Sequence, residues 1–210
     1  MKVLGIDVSS ETIGISIIED TVPYSIIFID HIKPPKNDSI IESLYETKQI
    51  FLDKIKDLKF DRVVIEEISE HMSNKTTSKT ILKLAVFNRM IGLCIKETFN
   101  IYPDFLNVLR ARANIKHKDY VGALAKEDVP DALSHLIGFD FPHIYETISY
   151  RKKTKTVIAT ESYDRADAVA MAVAYLEMKS KNIPLKTIKP KKTKTKKTKP
   201  ISTKPKIKRK

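Results

Sequence analysis

The stretch Lys2-Val3-Leu4-Gly5-Ile6-Asp7-Val8-Ser9-Ser10-Glu11-Thr12-Ile13-Gly14-Ile15-Ser16-Ile17-Ile18 decides the fold. Residues 2–7 are mostly apolar on consecutive positions, the pattern of a strand buried on both faces. Val8 to Thr12 is a polar turn, and residues 13–18 form a second strand that begins beside Gly14. Asp7 is out of place in this setting, because it ends a buried strand with a charge.

Three more acids share that anomaly. Glu66 ends the apolar run Val63-Val64-Ile65, and Asp164 and Asp167 open the alanine-rich run from Ala166 to Ala174. The i, i+3 spacing of Asp164 and Asp167 places both on one face of a helix. A strand-ending turn accounts for Asp7 taken alone, and the helix dipole accounts for Asp164. Neither accounts for Asp167 inside an apolar helix. Carboxylates gathered on apolar elements lose hydration and repel one another, so a lasting cluster needs a counter-cation. An all-oxygen set suits Mg²⁺ or Mn²⁺ and argues against zinc. Two such ions, ~3.5–4 Å apart, bind both sides of a scissile phosphate. The pattern therefore reads as a metal-dependent phosphodiester-cleaving site. Glu67 competes with Glu66, since alternation sends the two to opposite sides of the strand.

Working outward, a third strand is expected over 24–31, before the breakers Pro34-Pro35 and Asn37-Asp38-Ser39. Ser39 is the expected N-cap of a helix over 40–57. The strand at 62–65 then returns by a parallel crossover onto the first. A long helix over 79–97 is apolar on more than one face, as for a helix deep in the core or for one packed on two partners, another subunit being one candidate partner. A strand over 105–109, a helix over 125–137, an irregular stretch over 139–161 and a last helix over 163–179 complete a mixed α/β sheet flanked by helices. No internal repeat is evident.

At 210 residues the chain suffices for one substantial core. Its charge is uneven. Thirteen of the 38 Lys and Arg residues lie in 186–210, which has no acid, leaving 25 basic against 26 acidic residues before it. Residues 179–210 are expected as a disordered Lys-rich tail and 1–178 as the folded domain. The tail has too little apolar content to order itself, and it reads either as an arm for sequence-independent phosphate contacts or as a solubilising or localising segment. No 18-residue apolar stretch and no signal-peptide blocks are present, so no membrane partner is expected. Cys94 reads as a buried thiol in a reducing compartment. The expected location is cytoplasmic, at a nucleoid or a viral replication site, and not secreted.

Candidate DNA contacts are Lys75, Thr76 and Lys79, which begin a helix after Glu66 where amides and side chains can hold phosphate. Arg151, Lys152 and Lys153 form a second basic segment. Solvated loop is the alternative for both. His31, His117, His135 and His143 lack ligand spacing; His71, close to Glu66 in sequence, is a further candidate DNA contact.

The residues Leu4-Gly5-Ile6-Asp7 with Gly14, Val64-Ile65-Glu66-Glu67, Leu82-Lys83-Leu84-Ala85 with Arg89 and Gly92, and Asp164-Arg165-Ala166-Asp167-Ala168 resemble, in that order, the RuvC family of Holliday-junction resolvases in the RNase H-like superfamily. The resemblance implies an RNase H-like fold and a homodimer formed through the helix over 79–97. It also implies an endonuclease that nicks a four-way DNA junction symmetrically. Asp7, Glu66, Asp164 and Asp167 become the catalytic metal ligands, and the family register favours Glu66 over Glu67. A family lysine corresponds to Lys126, with Arg112 and Lys116 in the preceding basic segment. Ser9 stands where the family has glycine. Ser69 stands where bacterial members carry an aromatic wedge, and the 139–161 stretch and the tail are additions. These features suit a viral or phage member.

The leading expectation is a Mg²⁺-dependent resolvase of branched DNA. A broader branch- or flap-cutting nuclease and a non-catalytic nucleic-acid-binding protein are the alternatives. A nucleotide cofactor is not expected: Gly5-Ile6-Asp7 with Gly14 resembles an actin-like phosphate hairpin, but the chain is too short for two such domains and has no Walker motif.

Overall fold

The computed structural model describes residues 1–68, 77–117, 120, 122–150 and 153–185, the side chains of 149, 150 and 153 excepted. Strands β1 (Lys2–Val8), β2 (Ile13–Glu19) and β3 (Ser25–Ile32) form an antiparallel meander. Helix α1 (Ile40–Ile55) begins at Ser39, whose hydroxyl accepts from the Glu42 amide at 3.4 Å, as the cap residue indicates. It carries the chain over to β4 (Arg62–Glu67), which pairs parallel to β1. Helix α2 (Ser78–Phe99) then leads to β5 (Asp104–Asn107), parallel to β4, giving the sheet order β3-β2-β1-β4-β5.

Two departures from the sequence reading follow. The strand expected over 105–109 stops at Asn107, whose side chain accepts from the Leu109 and Arg110 amides and caps α3 (Val108–Ile115). The segment 139–161 is not irregular throughout: β6 (Tyr145–Tyr150) and β7 (Lys153–Ile158) pair as an antiparallel ribbon separate from the main sheet. Between these two regions lies α4 (Val129–Ile137), and the chain closes its fold with α5 (Thr160–Ser180).

The sheet has a core on each side. Leu4, Ile6, Ile15, Ile17, Val63 and Ile65 meet α1 and α2 through Phe51, Phe87 and Ile91. Val3, Ile18, Val64 and Leu106 meet α3, α4 and α5 through Ala111, Leu133 and Val169. Strand alternation assigns these faces and has a direct consequence for the acids. Asp7 falls on the side of Val3, and Glu66 on the side of Val64; both therefore face α5. No helix among the described residues is long and apolar enough to cross a membrane.

Candidate active site

Register places the first two carboxyls side by side. Ile6 pairs with Ile65 in the parallel β1–β4 ladder, so Asp7 and Glu66 leave the ladder as neighbours. Asp7 is also paired with Gly14 across β1–β2. Helix α5 crosses this row in contact with its backbone. A Cβ at Gly14 would stand 2.1 Å from the Asp164 carbonyl oxygen, and one at Gly5 would stand 2.2 Å from that of Ala168. Only glycine permits these approaches, and they set Asp164 and Asp167 over the strand ends that carry Asp7 and Glu66. The alanines of α5 serve the same end, with Ala168, Ala170, Ala172 and Ala174 fully buried.

Two cations stand among the four carboxyls. Arg112 of α3 donates to Asp167 from Nε (3.2 Å to Oδ1) and from one terminal nitrogen (3.0 Å to each oxygen). Lys126, in the segment before α4, donates to Asp164 Oδ1 at 2.6 Å and lies 3.6 Å from Asp167 Oδ2. Asp7 and Asp167 are 6% and 2% exposed, which keeps solvent from screening the group.

Burial raises the Asp7 carboxyl well above the usual carboxylate range, and the neighbouring Glu66 raises it further by charge and by a shared hydrogen bond. Burial also raises Glu66, while its hydrogen bond from Asp7 opposes the rise. Both members of the pair are therefore pushed toward the protonated form, Asp7 the more strongly. Asp167 is pushed up to about 6 by burial and by the Asp7 charge, against the pull of Arg112 and Lys126. Burial alone would lower Lys126, but the charges of Asp7, Asp164 and Asp167 outweigh it and hold the ammonium protonated.

The donor chemistry fits a divalent cation. All four groups are oxygen donors, and their full ionisation against Arg112 and Lys126 leaves two negative charges unmatched. Among the described residues, however, no three carboxylate, histidine or cysteine groups are spaced as one ion's coordination shell. Arg112 and Lys126 hold oxygens of Asp167 and Asp164 that would otherwise face a cation.

Glu67 is accounted for on the opposite face. It accepts from Arg89 of α2 at 2.7 Å, and that guanidinium lies 4.2 Å from the Phe105 ring centre. A residue the sequence reading overlooked holds Glu66 itself. Asn88, 1% exposed, donates from its amide to the Glu66 carbonyl at 2.7 Å and fixes the end of β4. An amide within the apolar helix run Ala85-Val86-Phe87 to Ile91 was the available signal.

The remaining candidates are dispersed. Lys79 is exposed in the first turn of α2. Lys116 ends α3, where its ammonium donates to the Gly122 carbonyl at 2.5 Å and lies over the Tyr120 ring. Lys75, Thr76, Arg151 and Lys152 lie outside the described residues, as do Ser69, His71 and the 186–210 tail. Lys153 is described as backbone only, in β7.

No protein-family model matches the sequence, and no curated protein matches it. Solved structures do. RuvC of Thermus thermophilus in complex with a Holliday junction substrate aligns with a TM-score of 0.62 at 13% identity, over 87% of this chain and 97% of that one. A second Thermus thermophilus RuvC structure gives 0.61 at 14% identity, over 87% and 98%. The yeast mitochondrial Holliday junction resolvase Ydc2 gives 0.51 at 12% identity, over 85% and 78%. The chain therefore has the RuvC-type, RNase H-like fold.

Proposed function

We propose that this protein is a divalent-metal-dependent endonuclease that resolves four-way DNA junctions by paired nicks. The observation that carries this reading is the convergence of Asp7, Glu66, Asp164 and Asp167 from three separate elements. They meet in one buried, negatively charged site on a RuvC-type fold. Burying charges that repel one another lowers stability, and ion binding makes use of them.

Mg²⁺, or Mn²⁺ in its place, would be held as a pair of ions by Asp7, Glu66, Asp164 and Asp167, and would supply water activation and charge stabilisation at the departing oxygen. The chain's own residues do the rest. Asn88 and the glycine contacts of α5 fix the carboxylates in position before substrate arrives. Arg112 and Lys126, once released from Asp167 and Asp164, are placed to meet the phosphate that the same charges attract. The surrounding apolar core backs the strands and helix that carry the carboxylates. Paired nicking needs two sites, and α2 offers a surface for a second copy, with Leu82 and Leu93 exposed at 66% and 57% on one stripe of the helix.

The broader branch-cutting reading is favoured by one observation, Ser69 at the position of the family's aromatic wedge. The test offers purified protein with Mg²⁺ a four-way junction, a Y-shaped branch and a linear duplex. The proposal expects paired nicks on the four-way junction, with the linear duplex spared. Equal cutting of all three ends it, and undiminished cutting by Asp7→Asn removes the carboxylate cluster from the chemistry.

A further inference from the structure

The β6–β7 ribbon has no part in the site described so far, and its construction is unusual. It belongs to neither core, and Tyr145, Glu146, Thr147, Ile148, Thr154, Lys155 and Thr156 are all exposed. An isolated two-stranded ribbon is marginal in water and gains order from something laid against it. The main sheet does not supply this, because the ribbon forms a separate sheet. Its sequence indicates what does: residues 145–158 contain four basic residues and one acid, of which the Lys155 and Glu146 side chains are among those described.

The ribbon is rooted beside the catalytic helix. The Ser162 hydroxyl, fully buried, accepts from the Ile144 amide at 2.6 Å and donates to the Ile144 carbonyl at 3.2 Å. That carbonyl also accepts from the Ala159 amide at 2.9 Å. Phe141, His143 and Tyr145 continue the anchor as a chain of edge-on rings, with centres 5.5 and 6.1 Å apart. The stem is thus clamped two residues before Asp164, and most of the described side chains beyond it are exposed.

Register divides the ribbon into two faces. Tyr145 and Thr147 share one with Ile158 and Thr156; Glu146 and Ile148 share the other with Val157 and Lys155. Six-residue strands reach ~20 Å, enough to span a DNA major groove ~12 Å wide, which admits a two-stranded ribbon. On the second face Lys155 suits a phosphate and its cross-strand neighbour Ile148 offers an apolar contact for base methyl groups, with Glu146 set back toward the stem.

We infer that the β6–β7 ribbon is a DNA arm, laid with Ile148 and Lys155 against the duplex next to the cleaved strand. This rests on the nuclease reading for which strand is cleaved, but its test does not. The full chain carries a photo-crosslinking p-benzoylphenylalanine at Ile148 or, as control, at Ile50 of α1, and is irradiated with a four-way junction in EDTA. The arm predicts crosslinks from position 148 to duplex nucleotides at a fixed distance from the branch point, and none from position 50. Crosslinks from 148 to a second protomer, or none to DNA, overturn it. In parallel, Lys155→Glu is compared with wild type by fluorescence anisotropy from 50 to 200 mM salt (about fourfold in ionic strength, where phosphate contacts dominate). The tail is present in both proteins, so the difference reports the ribbon. The logarithmic salt slope should fall by about 1 for one lost phosphate contact; an unchanged slope counts against the arm. Failure of wild type to cut any junction would end the nuclease reading and leave these binding results standing.

Discussion

Replacing Asp7 by Asn should stabilise the metal-free protein while disabling it. Asp7 sits beside Glu66 in a buried cluster, and its charge is the largest contribution after burial to the rise of Asp167 to about 6. Keeping Asp167 ionised at neutral pH costs about 3 kcal/mol against the unfolded chain, at ~1.4 kcal/mol for each of ~2 pH units. The folded-state value is raised, so this stability is present in full below pH ~4 and is lost as pH rises through about 6. Asn is isosteric, its amide can donate to Glu66, and it carries none of the charge by which the Asp7 carboxylate raises Asp167. A gain of about 1–2 kcal/mol follows, or roughly 3–6 °C in Tm for a domain of this size. The assay is thermal unfolding at pH 7.5 in EDTA and again with saturating Mg²⁺. Wild type should gain about 3 kcal/mol at an ion concentration near 100 times Kd, overtaking a variant that gains little. A variant that melts below wild type in EDTA, or equal Mg²⁺ responses, would refute the reasoning.

Gly14→Ala should lower Tm through a 1–3 kcal/mol overpacking cost, since its Cβ meets the Asp164 carbonyl, and should reduce cleavage more than DNA binding; parallel melting and gel-shift measurements check this. Leu82→Lys with Leu93→Lys should convert a dimer to a monomer by light scattering with Tm nearly unchanged, because both side chains are exposed in the single protomer. Deleting residues 186–210 should weaken DNA binding and flatten its salt dependence while Mg²⁺-dependent cutting of bound junction persists, because thirteen basic residues leave with the tail.

Much of this architecture is legible in the sequence because it depends on local patterns. Continuous apolar runs mark β1, β2 and β4, Ser39 marks the start of α1, and alternation alone assigns Glu66 and Glu67 to opposite faces. Helix α3 was obscured because Val108-Leu109 prolongs the apolar run of β5, and the break is made by the Asn107 side chain. The β6–β7 ribbon was obscured because most of its described side chains are exposed, with no buried face to impose an apolar alternation, and because its sequence offers no glycine or asparagine to signal a hairpin. Within the site, the four acids were readable as charges where apolar residues belong. Their partners were not, because Arg112 meets Asp167 across 55 positions and Lys126 meets Asp164 across 38. Such pairings follow from tertiary packing of α3 and α5, which no local pattern encodes.

The most direct measurement is nick mapping on a mobile four-way junction with Mg²⁺, using wild type and Asp164→Asn at equal DNA occupancy. The account predicts symmetric nicks in two strands of like polarity from wild type, and bound but uncut junction from the variant. Matching nicks from both proteins would contradict it.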